Sequence, residues 1–254
     1  MIPCFIIASY YVRSHKTYIK TYVDRINKFY TDSFVIIVDN GSKYIEDVED
    51  MLKEYTNVTI VKNNLECRFE IGAYKCGINY LKDNNLLDKY EYVVFSQDTF
   101  VINRYFDFNI LAKTNTVATS FNHLGGLTDM NTNRTVMDVF DKLNITDKYD
   151  GKNINLTWCN SFILHKNNIL PFYEIVKDIV VLERFGHCGS VQTERYLSGI
   201  MYYLNNYKSQ SICGNVKSPD ILGYDCWNVD IENNSLPHYF VKEVQQKTEK
   251  TVDE

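Results

Sequence analysis

Phe34-Val35-Ile36-Ile37-Val38-Asp39-Asn40-Gly41-Ser42 is the stretch on which the fold turns. Its apolar residues run without alternation, as they do in a strand buried on both faces, and they stop at an acid, an amide and a tight-turn glycine. Past it, Ile45, Val48, Leu52 and Tyr55 recur at helical spacing, with Ser42 placed as an N-cap. Before it, Pro3 to Ala8 is a shorter strand-like run, and Tyr18, Tyr22, Ile26 and Phe29 mark a helix within residues 14–29. Val58 to Val61 then reads as a third strand, Ile71 to Leu81 as a third helix and Tyr92-Val93-Val94-Phe95 as a fourth strand. Strands and helices that alternate in this way predict an α/β domain, a mostly parallel central sheet flanked by helices, with ligands at the carboxyl ends of the strands.

The later half is less regular. Thr116 to Phe121 and Trp158 to Leu164 read as strands, and Met130 to Asn155 as a polar, turn-rich stretch. Leu170-Pro171 opens a helix, Pro171 suiting its first turn, and Ser190 to Tyr203 forms another. The pattern is weak from Lys208 onward. No repeat and no linker divides the chain, which predicts one domain over residues 1–247 and a polar tail over 248–254.

Composition narrows the class of partner. The 254 residues carry 27 Lys+Arg against 32 Asp+Glu, a net charge of −5, which argues against nucleic acid as the main partner. Hydrophobic residues at 45% and charged residues at 23% are the balance of a globular chain. The apolar start, Met1 to Ala8, lacks a basic flank and is too short for a signal peptide, and no stretch reaches the ~20 apolar residues of a membrane span. The chain reads as soluble and cytoplasmic, with peripheral contact to a membrane left open. Seven Cys without a Cys-x-x-Cys pair indicate reduced thiols, neither a disulfide framework nor a zinc site. There is no P-loop and no Gly-x-Gly-x-x-Gly opening a helix, and the first strand lacks the paired Asp of a haloacid-type phosphatase.

The strand ends carry the candidate chemistry. Asp39 and Asn40 arrive at the ligand edge after the second strand, where an Asp can accept from a base or ribose donor or close an Asx turn. After the fourth strand comes Ser96-Gln97-Asp98-Thr99, which puts Asp98 on a rigid support suited to a carboxylate ligating Mg2+ or Mn2+ on a diphosphate; a turn Asp is the alternative.

Val-Asp-Asn-Gly-Ser after the second strand and Gln-Asp-Thr after the fourth resemble the GT-A glycosyltransferases, and among them the inverting family that includes bacterial rhamnosyltransferases. The resemblance covers roughly residues 3–103 and the remainder loosely. It implies a nucleotide-sugar-binding half over about 1–103 and an acceptor-binding half over about 104–247. It also implies transfer of a hexosyl or deoxyhexosyl group from a UDP-, dTDP- or GDP-linked donor to a glycan or other hydroxyl acceptor, with Mn2+ or Mg2+. In these terms Asp39 contacts the base and Asp98 ligates the metal. The first Asp of the family's metal motif is Ser96 here, a departure that bears on metal affinity and donor choice and leaves Ser96 to bond a ribose hydroxyl. Ala8, Ser9 and Tyr10 correspond to the first nucleotide-binding turn, and Arg68 with Gly72 and Ala73 to a loop facing the nucleotide, the glycine allowing close backbone approach. Arg68 equally suits a surface ion pair. The base is assigned to Glu194, at what the pattern gives as a helix start, with Glu183 and Asp129 as rivals. His238 is a second metal ligand in this scheme, and Trp158, Trp227 and some of the 20 Tyr offer sugar-stacking faces. A retaining enzyme, or a non-catalytic nucleotide- or sugar-binding relative, remains the alternative.

Overall fold

The computed structural model describes residues 1–13, 18–102, 105–120, 130–149, 154, 157, 160–180, 186–208 and 240–242. The alternation in the first hundred residues is present, with elements slightly longer than their apolar cores: β1 (Pro3–Ser9), α1 (Ile19–Phe29), β2 (Phe34–Asp39), α2 (Ile45–Leu52), β3 (Val58–Lys62), α3 (Phe69–Asp83) and β4 (Tyr92–Gln97). There follow β5 (Phe100–Ile102), α4 (Asn109–Lys113), β6 (Ala118–Ser120), α5 (Met130–Lys142), β7 (Phe162–His165), α6 (Ile169–Val176), α7 (Gly186–Leu204) and β8 (Phe240–Lys242).

Six strands form one sheet in the order β3-β2-β1-β4-β7-β6, and β5 pairs with β8 in a separate ribbon. The first four are parallel, while β7 runs antiparallel to both β4 and β6. The architecture is thus α/β with a mostly parallel sheet, as the element order predicts. Register aligns Ser9 with Asp39, Ala8 with Gln97 and Asp39 with Lys62, so the strand ends named above share one edge.

Each strand face buries an apolar layer, the reason for the unalternated runs. Ile6, Ile36, Val93 and Phe95 lie in one core with residues of α3, α5, α6 and α7, and Phe5, Ile7, Ile37 and Val94 in another with residues of α1, α2 and α4. Each such side chain contributes about 1.5–3 kcal/mol on burial. Gly77 brings α3 close to β1, because a Cβ there would stand 2.5 Å from Ile6 Cγ2. Lys75 is buried and its ammonium donates to the carbonyls of Lys177 (2.7 Å) and Ile179 (2.9 Å), tying α3 to the carbonyl-rich end of α6. Among the described residues seven Tyr are buried, Tyr22 and Tyr74 being among the largest fully buried side chains, while Tyr10 and Tyr105 are among those left exposed.

Three local expectations are corrected. Part of the supposedly turn-rich segment is α5, whose Val136, Val139 and Phe140 are buried at helical spacing beneath polar neighbours that dilute the pattern. Ser42 does not cap α2, which starts at Ile45, because its hydroxyl is engaged by Asp39 and Tyr11. Helix α7 starts at Gly186, ahead of Ser190, so Glu194 lies in the helix interior, not near its first turn. Pro171 does fall in the first turn of α6.

Candidate functional site

Asp98 follows directly on β4 and is fixed from the neighbouring strand. Its N–H donates to the Ala8 carbonyl (3.0 Å), and its Oδ2 accepts from the Ser9 hydroxyl (2.8 Å) and the Tyr10 N–H (3.1 Å). Ser9 is buried, Asp98 half-buried and Tyr10 exposed, so this charge-assisted cluster stands at the rim of the sheet.

Asp39, two strands away at the end of β2, is turned into its own loop. Its carboxylate accepts from the N–H of Gly41 (3.1 Å) and of Ser42 (3.0 Å) and from the Ser42 hydroxyl, while Gly41 supplies the positive φ of 94° that the turn requires. Ser42 Oγ in turn accepts from the Tyr11 N–H at 2.8 Å, joining the loop after β2 to the loop after β1. Asn40 reaches the next loop, its Oδ1 accepting from Asn63 Nδ2 at 2.9 Å; Asn63 Nδ2 also donates to the Cys67 carbonyl and Asn63 Oδ1 accepts from the Leu65 N–H. Three consecutive βα loops are therefore laced together by side-chain amides, a hydroxyl and a carboxylate.

Arg68 is exposed and donates to the Asn63 carbonyl at 3.1 Å, which orients the guanidinium over this loop. Gly72 has a different task from the one expected. The backbone that approaches it is its own loop, since a Cβ at Gly72 would lie 2.0 Å from the Cys67 carbonyl oxygen. Ala73 is buried in the core. The loop enters α3 through Phe69 at φ 57°, a strained value for an aromatic residue. Ser96 is fully buried on the α1 side of the sheet, its hydroxyl 2.8 Å from that of Tyr22, whose acidity burial suppresses. On the opposite face Gln97 donates to Glu70 of α3.

At the outer wall, Arg13 stacks on Tyr44 at 3.8 Å and grips Asp47 with two hydrogen bonds (2.6 and 2.8 Å), which hold the Asp47 carboxyl below its usual range. This exposed pair contributes little to stability.

Glu194 is buried within α7. One turn on, Ser198 Oγ donates to the Glu194 carbonyl (2.6 Å) and accepts from the Thr157 N–H (2.7 Å), and Thr157 Oγ1 is 2.9 Å from Ser120 Oγ at the end of β6. A buried chain of hydroxyls thus links that turn of α7 to the same sheet edge that carries Asp98. Asp129, Glu183, His238, Trp158 and Trp227 lie outside the described residues. Asn63, which laces the loops, opens the segment that carries Arg68, without a role of its own in the sequence reading, and Asn160, which precedes β7, was not singled out. Their signal was position alone, each standing next to a strand end.

No protein-family model and no curated protein matches the chain. Solved structures to which it is similar include the 4-diphosphocytidyl-2C-methyl-D-erythritol synthase of Anaerococcus prevotii, at 12% identity over 83% of this chain and 86% of that one, with a TM-score of 0.45. The mannosyltransferase Ktr4p of S. cerevisiae, in complex with GDP, is 11% identical over 80% of this chain and 66% of its own, with a TM-score of 0.43. Core-mannan synthase A of Aspergillus fumigatus, in a Mn/GDP form, is 9% identical over 83% of this chain and 72% of its own, with a TM-score of 0.42. This chain therefore spans just under two thirds of the yeast enzyme. All three likenesses are remote, and the chemistry of this chain has to be argued from its own residues.

Proposed function

We propose that the chain is a glycosyltransferase that moves a sugar from a nucleotide-diphosphate sugar to a hydroxyl acceptor, with inversion, and that residues 1–247 act as one domain with a nucleotide half and an acceptor half. The observation that supports it is the setting of Asp98, a carboxylate held by Ser9 and Tyr10 at the carboxyl edge of a parallel sheet, beside three interlocked βα loops. That edge is where α/β sheets bind nucleotides.

The geometry of the strand ends supports the following roles within this reading. The loops after β1, β2 and β3 form the nucleotide seat, with Tyr10 exposed for stacking on a base and Arg68 facing the phosphates. Asp39 acts there by shaping the turn that presents Asn40, Gly41 and Ser42. Among the described residues no three His, Cys, Asp or Glu side chains gather to hold a metal ion. The fit to Mn2+ or Mg2+ is to a single protein carboxylate, Asp98, with phosphate oxygens and water completing the shell, as hard divalent cations accept. Such an ion would neutralise charge on the departing diphosphate. Glu194 would take the acceptor's proton as it attacks the anomeric carbon.

The test is donor hydrolysis and transfer with a panel of UDP-, GDP- and dTDP-sugars and Mn2+. Turnover by the wild type and a loss of about a hundredfold or more in Asp98→Ala is expected. An active Asp98→Ala enzyme would remove Asp98 from the mechanism, and donor binding without turnover across the panel would favour a binding protein of the same fold. No described helix is long and apolar enough to cross a membrane.

A further inference from the structure

Asn160 combines two costs at one position. Its side chain is fully buried, and both its Nδ2 and its Oδ1 lack a hydrogen-bond partner among the described residues. Its backbone lies in the left-handed region at φ 56°. Among the described residues four other Asn share that conformation, and all four sit just beyond helices: Asn85, Asn115, Asn144 and Asn206 after α3, α4, α5 and α7. There it ends a helix in the ordinary way. At Asn160 the conformation closes a turn, the N–H donating to the Thr157 carbonyl at 3.0 Å. Glycine would make that turn at lower cost, and the turn gives no reason for a buried carboxamide with nothing to bond.

Its place in the fold supplies a reason. Phe162 of β7 pairs with Phe95 of β4; Asn160 precedes that pair by two residues and Gln97 follows it by two, so both stand at the edge that carries Asp98. The Asn160 carbonyl accepts from the Tyr74 hydroxyl at 2.9 Å, and Glu70, one turn earlier in α3, holds Gln97. The amide is therefore clamped through its backbone next to the site, with its own donor and acceptor unused.

We infer that Asn160 binds the sugar of the donor, its Nδ2 donating to one hydroxyl and its Oδ1 accepting from the neighbouring one. This rests on the glycosyltransferase reading and extends it to the sugar. A carboxamide offers a donor and an acceptor side by side, which matches adjacent hydroxyls on a pyranose ring. Because the residue is enclosed, neighbouring side chains must give way as the sugar arrives.

Asn160→Gly keeps the turn and removes the carboxamide. Affinities of wild type and variant are measured by calorimetry for UDP, GDP and dTDP and for UDP-glucose, GDP-mannose and dTDP-rhamnose, with Mn2+ present, alongside thermal unfolding. The wild type is expected to bind a nucleotide sugar more tightly than the matching nucleoside diphosphate. The variant is expected to lose about tenfold for that sugar nucleotide, the scale of two neutral hydrogen bonds, while its affinity for the nucleoside diphosphate and its Tm hold. An unchanged ratio between sugar nucleotide and nucleoside diphosphate overturns the role of Asn160 and leaves the proposed function standing, as does a wild type that gains nothing from any of the sugars. A glycine variant that no longer folds also overturns it, since the carboxamide would then serve the fold. A wild type that binds none of the nucleoside diphosphates overturns both.

Discussion

Replacing Gly72 by alanine sets a helix preference against a steric conflict, and the structure gives the size of each. In a helix interior alanine is favoured over glycine by about 1 kcal/mol. Against this, the new Cβ would fall 2.0 Å from the Cys67 carbonyl oxygen, 2.6 Å from its carbon and 2.8 Å from Asn63 Nδ2, where ordinary contact begins near 3.4 Å. The obstacle is backbone, so the loop before α3 must retreat by more than an ångström. Overpacking of that kind costs about 1–3 kcal/mol. The retreat also breaks the Asn63 bonds to Asn40 and Cys67, each worth about 1 kcal/mol. The net loss is about 2–4 kcal/mol, or a fall in Tm of roughly 5–15 °C for a chain of this size. Thermal and urea unfolding of Gly72→Ala measure it, and binding of nucleoside diphosphate should weaken in parallel because Asn40 and Arg68 belong to the displaced loops. Gly77→Ala, in the same helix, is the comparison: its Cβ meets the Ile6 side chain and leaves these loops alone, so it should lower stability without that loss of binding. A Gly72→Ala protein as stable as wild type would refute the loop packing described here.

Glu194→Gln should keep the fold and reduce transfer by about 10²–10⁴-fold, the range for loss of a general base; full transfer by the variant places the base elsewhere. At the opposite end of the sheet Glu91 accepts from His165 and faces Lys166, and these contacts hold its carboxyl below its ordinary 4.5. A depressed carboxylate stabilises the fold above its unfolded value and loses that contribution as pH falls through the folded one. Glu91→Gln should therefore be slightly less stable than wild type near about pH 6, with the difference closing below 4.5. A gap in Tm that persists unchanged through that acid range would rule out the ion pair as its source.

The parallel half of the fold was legible because its strands are buried on both faces and leave unbroken apolar runs, as in Phe34 to Val38. Helix α5 was not, since Val136, Val139 and Phe140 make a narrow stripe among polar residues and a short buried face needs few apolar positions. Strands β5 and β8, three residues each, are too short for any period to register. Position after a strand was enough to make Asp98 a candidate, and its bonds to Ser9 and Tyr10 depend on register, which no local pattern encodes. Asp39 was legible as a strand-end acid with two readings, and the loop geometry gives it the Asx-turn part. Ser96 was assigned through the motif of the family it resembles, and alternation along β4 sends it to the face of Tyr22, away from Gln97. Glu194 depended on a helix boundary, the feature that periodicity fixes least well.

Strand β5, which begins two residues after Asp98, finds its partner in residues 240–242, with Phe100 opposite Lys242 and Ile102 opposite Phe240. The four parallel strands of the six-stranded sheet, by contrast, all lie within residues 3–97. A pairing between segments so distant in sequence closes late, because the chain entropy of the intervening loop is lost before the pairing stabilises anything. The two events should separate in time during refolding, with the parallel strands and their laced loops forming first and the β5–β8 ribbon last. Under the function proposed above, nucleotide binding, which rests on the laced loops, should then be regained before the β5–β8 ribbon has closed.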